Sequence, residues 1–318
     1  MSVSVVLALY NPNLDWLRRQ LRSIANQTYR DIEMFAIDDA SPDVPFARIQ
    51  TVFSECLSGV PVQLTRNETN LGSDATFDTL TAMARGRYLS YCDQDDIWLP
   101  DKTERLVQTL EQTGAALAYS DLSVIGGDGE QIAESLTRVR RRLRHLQGEG
   151  LAQGLLFRNF TNGTAMMMPT SIAQEARPFV QDMTADHWLT LWAATQGPIT
   201  YIPEPLVQYR LHGSNQSAVM AGVTDKQSYL ERRILTGLSR FEQFQRRFAQ
   251  NAELTEAIEE GLHWFRARKR WFEDAKEAKT VWKYRDAGRQ VTLFELAAAR
   301  MPNGIFMTLV RLVQRGLL

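Results

Sequence analysis

The sequence predicts an α/β protein with a mainly parallel central sheet, followed by a helical C-terminal region. Three observations carry that expectation. Short β-branched or aromatic runs alternate with amphipathic helical stretches through the first third of the chain, which is the pattern of right-handed βαβ units. Three of those runs end in polar residues, Tyr10-Asn11, Asp38-Asp39 and Asp93-Gln94-Asp95-Asp96, and in an open α/β sheet the ligand crevice lies beyond the carboxyl ends of the strands. From residue 226 onward helical periodicity dominates, with Leu230, Ile234, Leu238, Phe241 and Phe244 on one stripe.

Element by element, strands are expected at 3–9, 32–38, 61–66, 87–92 and 115–120. The first helix is the clearest: Leu14, Leu17, Leu21 and Ile24 recur at helical steps with arginines on the other face, and Pro12 suits a first-turn proline. Residues 121–225 are more irregular. Within them, Arg138, Arg140, Arg141, Arg142 and Arg144 form a basic run that reads either as a solvated face or as a contact for an anionic acceptor. An apolar run, Ala165 to Met168, precedes Asp186-His187-Trp188 at the head of a helical pattern, and Pro203 to Arg210 reads as a strand leading into His212-Gly213-Ser214-Asn215. The change of pattern places a domain boundary near 222, giving a domain of residues 1–222 and a helical region of 223–318, without repeats or a low-complexity linker.

Composition narrows the class. Of 318 residues, 44% are hydrophobic and 23% charged, close to a soluble globular average, so neither wholesale disorder nor a polytopic membrane protein fits. The net charge of −1 gives no global field for nucleic acid. It hides an asymmetry: residues 226–318 carry 18 Lys/Arg against 11 Asp/Glu, leaving 18 against 26 for residues 1–225. Two cysteines, Cys56 and Cys92, make no disulfide framework and point to a reducing cytosolic setting. The apolar start of the chain reads as a buried strand rather than a signal peptide, and no run is long enough to span a bilayer.

Asp93, Asp95 and Asp96 follow the apolar strand Tyr88 to Cys92. Three acids within four residues repel one another unless a cation sits among them. Carboxylates suit Mg²⁺ or Mn²⁺, which take one or two protein carboxylates and complete their sphere with phosphate and water oxygens. The alternative is an acidic turn capping the next helix near Pro100-Asp101. Asp39 can accept hydrogen bonds from a ribose or base edge, and Asn70-Leu71-Gly72 can bring backbone close to a ligand.

Taken together, Ser4-Val5-Val6-Leu7-Ala8-Leu9-Tyr10-Asn11, Gln20-Leu21-x-Ser23-Ile24-x-x-Gln27-Thr28, Ile37-Asp38-Asp39-Ala40-Ser41, Asn70-Leu71-Gly72 and Asp93-Gln94-Asp95-Asp96-Ile97-Trp98 closely resemble family-two glycosyltransferases of the GT-A fold. The last motif resembles the subset that includes bacterial rhamnosyltransferases. The similarity spans roughly residues 3–215 and leaves the C-terminal third uncovered. It implies a GT-A-type nucleotide-binding domain that transfers a sugar from a nucleotide-diphosphate donor, dTDP-rhamnose or a UDP-sugar, with inversion at the anomeric carbon. By the same resemblance Tyr10 and Asn11 line the nucleotide pocket, Asp39 holds the base, Asp93 contacts the ribose and Asp95 ligates the metal. Asp186 matches the family's general base. The family often has Glu-Asp before the aromatic pair, and Ala185 stands here instead of the Glu.

Such a displacement needs charge neutralisation at the leaving diphosphate and proton removal from an acceptor hydroxyl. His212 is a candidate to complete the metal sphere, or a turn histidine satisfied by a carbonyl. Asn162-Gly163-Thr164 resembles the loop beneath the acceptor, or is an ordinary turn. Arg210 is placed either on the diphosphate or on the surface. Trp98 and Trp188 are either sugar platforms or core, and Trp188 is taken as an acceptor contact. The expected partners are a nucleotide-sugar donor and a bacterial surface glycan or lipid-linked acceptor.

At the basic back end, Arg266, Arg268, Lys269 and Arg270 interleave with Trp264, Phe265, Trp271 and Phe272, and Ile305 to Arg315 is apolar with spaced arginines. That reads as peripheral contact with the inner face of the cytoplasmic membrane, or as a helical module for homo-oligomerisation. Two other functions share these residues. A nucleotidyltransferase would use the same strand-end acids, although no Gly-rich phosphate loop with a cation follows strand one, and a non-catalytic nucleotide-sugar or glycan-binding scaffold would bind without turnover.

Overall fold

The computed structural model describes residues 2–212, 222–274, 277–285 and 289–314. Two compact units divide the chain: one ends at His212 and omits Val180–Met183, and the second takes those four residues together with the chain after His212. The boundary expected near 222 lies ten residues beyond that division, and Gly213-Ser214-Asn215 and Arg315 lie outside the described residues.

In the first unit the chain runs β1 (Val3–Leu9), α1 (Leu14–Ala25), β2 (Ile32–Asp38), α2 (Phe46–Cys56), β3 (Val62–Arg66), α3 (Ser73–Met83), β4 (Tyr88–Cys92), β5 (Ile97–Trp98), α4 (Lys102–Thr113), β6 (Leu117–Ile125) and β7 (Gln131–Ala133). It continues through α5 (Leu136–Val139), α6 (Ala152–Leu155), β8 (Met166–Pro169), α7 (Thr170–Glu175), α8 (Ala185–Gln196) and β9 (Ile199–Arg210). These strands form one sheet in the order β3-β2-β1-β4-β8-β6-β9-β5, with β7 on β6. The half from β3 to β4 is parallel, as the βαβ alternation predicts. Beyond it, β8 inserts antiparallel between β4 and β6. The parallel relation returns in β6–β9, and the two-residue β5 closes antiparallel on β9.

The layers follow from burial. Strands β1 and β4 are buried along nearly their whole length, the signature of a sheet covered on both faces. Helix α1 lays Leu17, Leu21 and Ile24 into the same core as Val3, Val5 and Leu7. The Asn13 side chain accepts from the backbone N–H groups of Asp15 and Trp16 and so caps α1. Pro12 therefore sits before the cap, not in the first turn.

The second unit contains α9 (Lys226–Tyr229), a π-helical turn at Leu230–Leu235, α10 (Thr236–Arg247), α11 (Ala252–Asp274), α12 (Ala278–Lys283), α13 (Arg289–Ala298) and α14 (Asn303–Gln314). Helices α10 and α11 cross at two glycines: a Cβ on Gly237 would stand 2.0 Å from the Phe265 ring, and one on Gly261 equally close to Phe241. The basic and aromatic stretch of α11 turns its aromatics inward. Trp264, Phe265 and Trp271 are buried, and Arg268 grips the buried Glu295 at 2.6 and 2.5 Å, with Tyr229 donating to the same carboxylate. The outward cations are answered by acids: Arg266 by Glu242, Lys269 by Glu273 and Arg270 by Glu277. In α14, Phe306 and Val310 are buried while Ile305 is exposed. Among the described residues no helix is long and apolar enough to cross a membrane.

Candidate active site

The carboxyl ends of β1, β2 and β4 are joined by hydrogen bonds between residues distant in sequence. Tyr10 follows β1 with its side chain exposed. Its backbone N–H donates to Gln94 Oε1 at 3.0 Å, and Gln94 Nε2 donates back to the Tyr10 carbonyl at 3.1 Å. Asn11 adopts a left-handed φ of 42°, a region that asparagine tolerates better than most residues. Its N–H donates to Ser41 Oγ at 2.8 Å and its amide pairs both ways with Asp43. Ser41 in turn donates to the buried Asp38, which also pairs with Arg66 at 3.3 Å. Asp39 accepts from Asn67 Nδ2 and from the backbone N–H groups of Leu71 and Gly72, at 2.7 to 2.9 Å. It thus ties the Asn70-Leu71-Gly72 turn to the end of β2. Gly72 there has φ +87°, a conformation in which a side chain would be strained, and Asn70 stays exposed.

The acidic turn after β4 splits its carboxylates between two environments. Asp93 is pushed up to about 7 by burial first and then by the charges of Asp95 and Asp186. Asp96 is fully buried, accepts from the Arg210 N–H at 2.9 Å, and is held well above the ordinary carboxylate range by desolvation and by Asp93 and Asp95. Asp95 is partly exposed and accepts from His212 Nε2 at 2.7 Å. The fit of a divalent cation rests on that pair: a carboxylate and an imidazole meeting at one point, both open to solvent on one side. The pair suits Mn²⁺ better than Mg²⁺, because imidazole is a softer ligand than oxygen. Among the described residues no group of three or more His, Cys, Asp or Glu is arranged around a common point. A cation at Asp95 and His212 would therefore draw further ligands from phosphate and water.

Asp186 lies in the first turn of α8, where backbone N–H groups favour a carboxylate. It accepts from Thr184 Oγ1 at 2.5 Å and from the His187 N–H at 2.7 Å. Burial still holds it above the ordinary carboxylate range, against those hydrogen bonds and the charge of Arg140. Gly163 packs on it so closely that a Cβ there would touch the Asp186 Cβ at 3.5 Å. Asn162 caps the short turn by accepting from the Thr164 N–H at 3.2 Å. The structure thus packs Gly163 on Asp186, pairs His212 with Asp95, and leaves Asp93 within reach of the charges of Asp95 and Asp186.

Three expectations are corrected. Arg210 is neither a surface residue nor open to a diphosphate: it is fully buried, and its guanidinium donates to the carbonyls of Asp95, Gly126 and Gly127 at 2.7 to 3.0 Å. It braces the acidic turn from beneath. Trp188 is core, with no exposed surface and its indole N–H donated to the Ala176 carbonyl at 2.9 Å, so it offers no face to an acceptor. Thr164 is buried as well, accepting from Trp98 Nε1 at 3.3 Å. Of the acceptor loop, Asn162 and Gly163 remain at the surface of the site.

Four residues that sequence reasoning passed over complete the frame. Asp74 accepts from the Ala185 N–H at 2.8 Å and so fixes the entry of α8. Burial first, and then the charge of Asp186, raise it above the ordinary range. Trp16 packs at a tilt 5.0 Å from the His212 ring and anchors its own indole on the Gly127 carbonyl. Gln94 is the bracket described above. Lys102 is buried, donates to Ser90 at 3.0 Å and stands 3.1 Å from the centroid of the Trp98 ring; burial depresses it well below the ordinary lysine range. The signals were present but weak: an acid opening α3 at Asp74, and a lysine opening α4 beside Asp101.

This arrangement can hold a nucleotide at three strand ends and set a carboxylate over a second substrate. Comparison with known proteins gives the family and the fold. The chain is 26% identical over 239 residues to "Uncharacterized glycosyltransferase alr2836" of Nostoc sp., covering 71% of this chain and 70% of that protein. It is 28% identical over 130 residues to the Rhizobium meliloti "Succinoglycan biosynthesis protein ExoO", covering 41% and 36%. Among solved structures, S. aureus TarS 1-349 in complex with UDP-GlcNAc matches with a TM-score of 0.60 at 14% identity, over 99% of this chain and 92% of that one. The mannosyltransferase PcManGT from Pyrobaculum calidifontis, in complex with GDP-Man and Mn²⁺, matches with a TM-score of 0.52 at 15% identity, over 99% and 80%. At those identities the structures speak for the fold. The model "Glycosyl transferase family 2" matches residues 4–175, a span that takes in all three strand ends and the Gly163 turn, and the chain belongs to that family.

Proposed function

We propose that the protein is an inverting glycosyltransferase that moves a sugar from a nucleotide-diphosphate donor, a UDP-sugar or dTDP-rhamnose, to a hydroxyl of a glycan or lipid-linked acceptor. The observation that carries this reading is that Asp186, packed on Gly163, and the Asp95–His212 pair lie on either side of Asp93 closely enough for the charges of Asp95 and Asp186 to act on it. Asp95 and His212 would hold Mn²⁺ or Mg²⁺, which when bound supplies charge neutralisation at the leaving diphosphate. The exposed Tyr10 ring offers a face for the base, and the Asp39-braced turn brings the Gly72 backbone close to the nucleotide. Asp93 would bond the ribose hydroxyls of such a donor. Asp186 accepts the proton of the attacking hydroxyl at its carboxylate as the new glycosidic bond forms and the bond to the leaving diphosphate breaks. Its raised affinity for protons brings it nearer to the pKa that suits a base working at neutral pH.

The test is a panel of UDP-, dTDP- and GDP-sugars with Mn²⁺, with release of the nucleoside diphosphate followed in the presence and absence of glycan acceptors. Release from at least one donor supports the reading, and an acceptor-dependent rise identifies transfer. A protein that binds donors but releases nothing under any condition is a scaffold, and the enzymatic reading fails. For localisation, the expectation is a cytoplasmic enzyme that meets its acceptor at the inner membrane face, tested by fractionation with and without high salt.

A further inference from the structure

We infer that the segment Arg138–Arg144 is the docking surface for an acidic glycan, so that the acceptor of the proposed transfer is a polysaccharide chain carrying carboxylates. The inference rests on the glycosyltransferase reading and specifies its acceptor. Four of the five arginines, Arg138, Arg141, Arg142 and Arg144, are exposed. Among the described residues none of the four pairs with a carboxylate; Arg144 uses one nitrogen to hold the Arg141 and Leu143 carbonyls at 3.0 Å. In α11, by contrast, the outward cations Arg266, Lys269 and Arg270 are matched by acids.

The segment is fastened in place. Leu136 is buried, Leu143 packs against the main core, the Tyr119 hydroxyl is bonded to both the N–H and the carbonyl of Leu146 at 2.9 Å, and Gly148 pairs with Ile199. Cations on a fixed strap lose less conformational freedom on binding than cations on a free loop. The middle of the strap comes near the site: the guanidinium of Arg140 stands 5.8 Å from the Tyr209 ring, one residue before Arg210 under the acidic turn, and its charge reaches Asp186.

Its chemistry selects among anions. Guanidinium forks match carboxylates in two-point contact, and a row of them suits a polymer with repeated charges. A membrane-binding patch would set its cations opposite a continuous apolar face of a helix, whereas the helix here is the single turn Leu136–Val139 and the exposed large apolar side chains between residues 131 and 150, Ile132, Val139 and Leu146, stand seven positions apart. Residues 1–225 hold 18 Lys/Arg against 26 Asp/Glu, so elsewhere this part of the chain repels an acidic glycan while the strap draws it towards Asp186.

The test measures the anisotropy of fluorescent oligogalacturonate with the full-length protein, the variant R138A/R141A/R142A/R144A, and the charge-retaining R138K/R141K/R142K/R144K. Wild type should bind with an affinity that falls as salt rises, the alanine variant should lose about tenfold or more, and the lysine variant should stay within about threefold of wild type. Saturating UDP should leave the oligogalacturonate bound, and neutral maltooligosaccharide should not compete. No binding by wild type, equal binding by the alanine variant, displacement by UDP, or equal competition by maltooligosaccharide each overturns the inference. If the alanine variant keeps oligogalacturonate but loses phosphatidylglycerol vesicles, the strap is a lipid contact and the inference is likewise overturned. These readings do not depend on turnover, so a wild type that binds oligogalacturonate but releases no nucleotide from any donor refutes the glycosyltransferase reading separately.

Discussion

The carboxyl ends of the parallel strands and the loop-and-helix wall opposite them are built on different principles. At the parallel ends, the residues proposed for the nucleotide also hold the frame: Asn11 reaches Asp43, and the buried Asp39 reaches Leu71 and Gly72, across about thirty positions each. On the opposite wall the roles are separated. Asp186 and Gly163 face the site, while their near neighbours Trp188 and Thr164 are wholly core. The reason is geometric: residues two apart on a helix point to nearly opposite sides, whereas a strand end turning into a loop can aim consecutive polar groups into one crevice. Proximity in sequence to a working residue is therefore misleading at a helix start, and at the end of β4 it is informative only as far as Asp95, since the next residue, Asp96, is buried against Arg210.

The contrast can be broken most strongly at Asp186. Asp186→Asn keeps size and much of the capping geometry but removes the proton acceptor, so single-turnover transfer with saturating donor should fall by about 10²–10⁴-fold while donor binding survives. A rate within about threefold of wild type would show that proton removal occurs elsewhere. On the strand-end side, Asp95→Ala should weaken Mn²⁺-dependent UDP binding in calorimetry by about 10- to 100-fold, with the far-ultraviolet spectrum unchanged. Unaltered affinity would remove Asp95 from the metal site.

Smaller effects separate frame from function on the opposite wall. Trp188→Phe should lower stability by about 1–3 kcal/mol, through a lost buried hydrogen bond and an unfilled volume, with turnover of the folded fraction unchanged. A selective rise in acceptor KM at full stability would return Trp188 to the acceptor site. The subtlest test is Asp74→Asn. Removing that negative charge favours ionised Asp186, so the acidic limb of the transfer rate should move to lower pH. Asp74 itself has a folded pKa above its unfolded one, so it contributes stability at low pH that is lost as pH rises from the unfolded to the folded value. In the Asn variant that slope should vanish from urea melts. A limb that stays fixed would show that Asp74 and Asp186 do not interact through charge.

The sequence made the parallel half legible because burial on both faces writes itself as unbroken apolar runs in β1, β2 and β4, and these, with the exposed edge strand β3, fall within a residue of the expected runs. It left β8 unread as a strand partner of both β4 and β6, since the direction of a four-residue apolar run depends on a path through residues 126–165 that carries no period. The acids were legible as a cluster, but not the division of labour among them, which follows from Arg210 and Lys102 arriving from β9 and α4. Arg210 itself was misplaced because a guanidinium beside a candidate phosphate site reads the same whether it faces the ligand or the main chain behind it.

Gln94 carries a consequence for how a nucleotide would bind. With one side-chain oxygen and one side-chain nitrogen it answers both main-chain groups of Tyr10, as a residue of an adjoining strand would. The β1–β4 ladder is in effect one rung longer than its backbone, and the flanking acids are anchored to the sheet instead of hanging from a free turn. A loop already fixed in this way surrenders little further entropy when a ligand arrives. The pocket's affinity is then set by the contacts it makes, with little of it spent on assembling the loop.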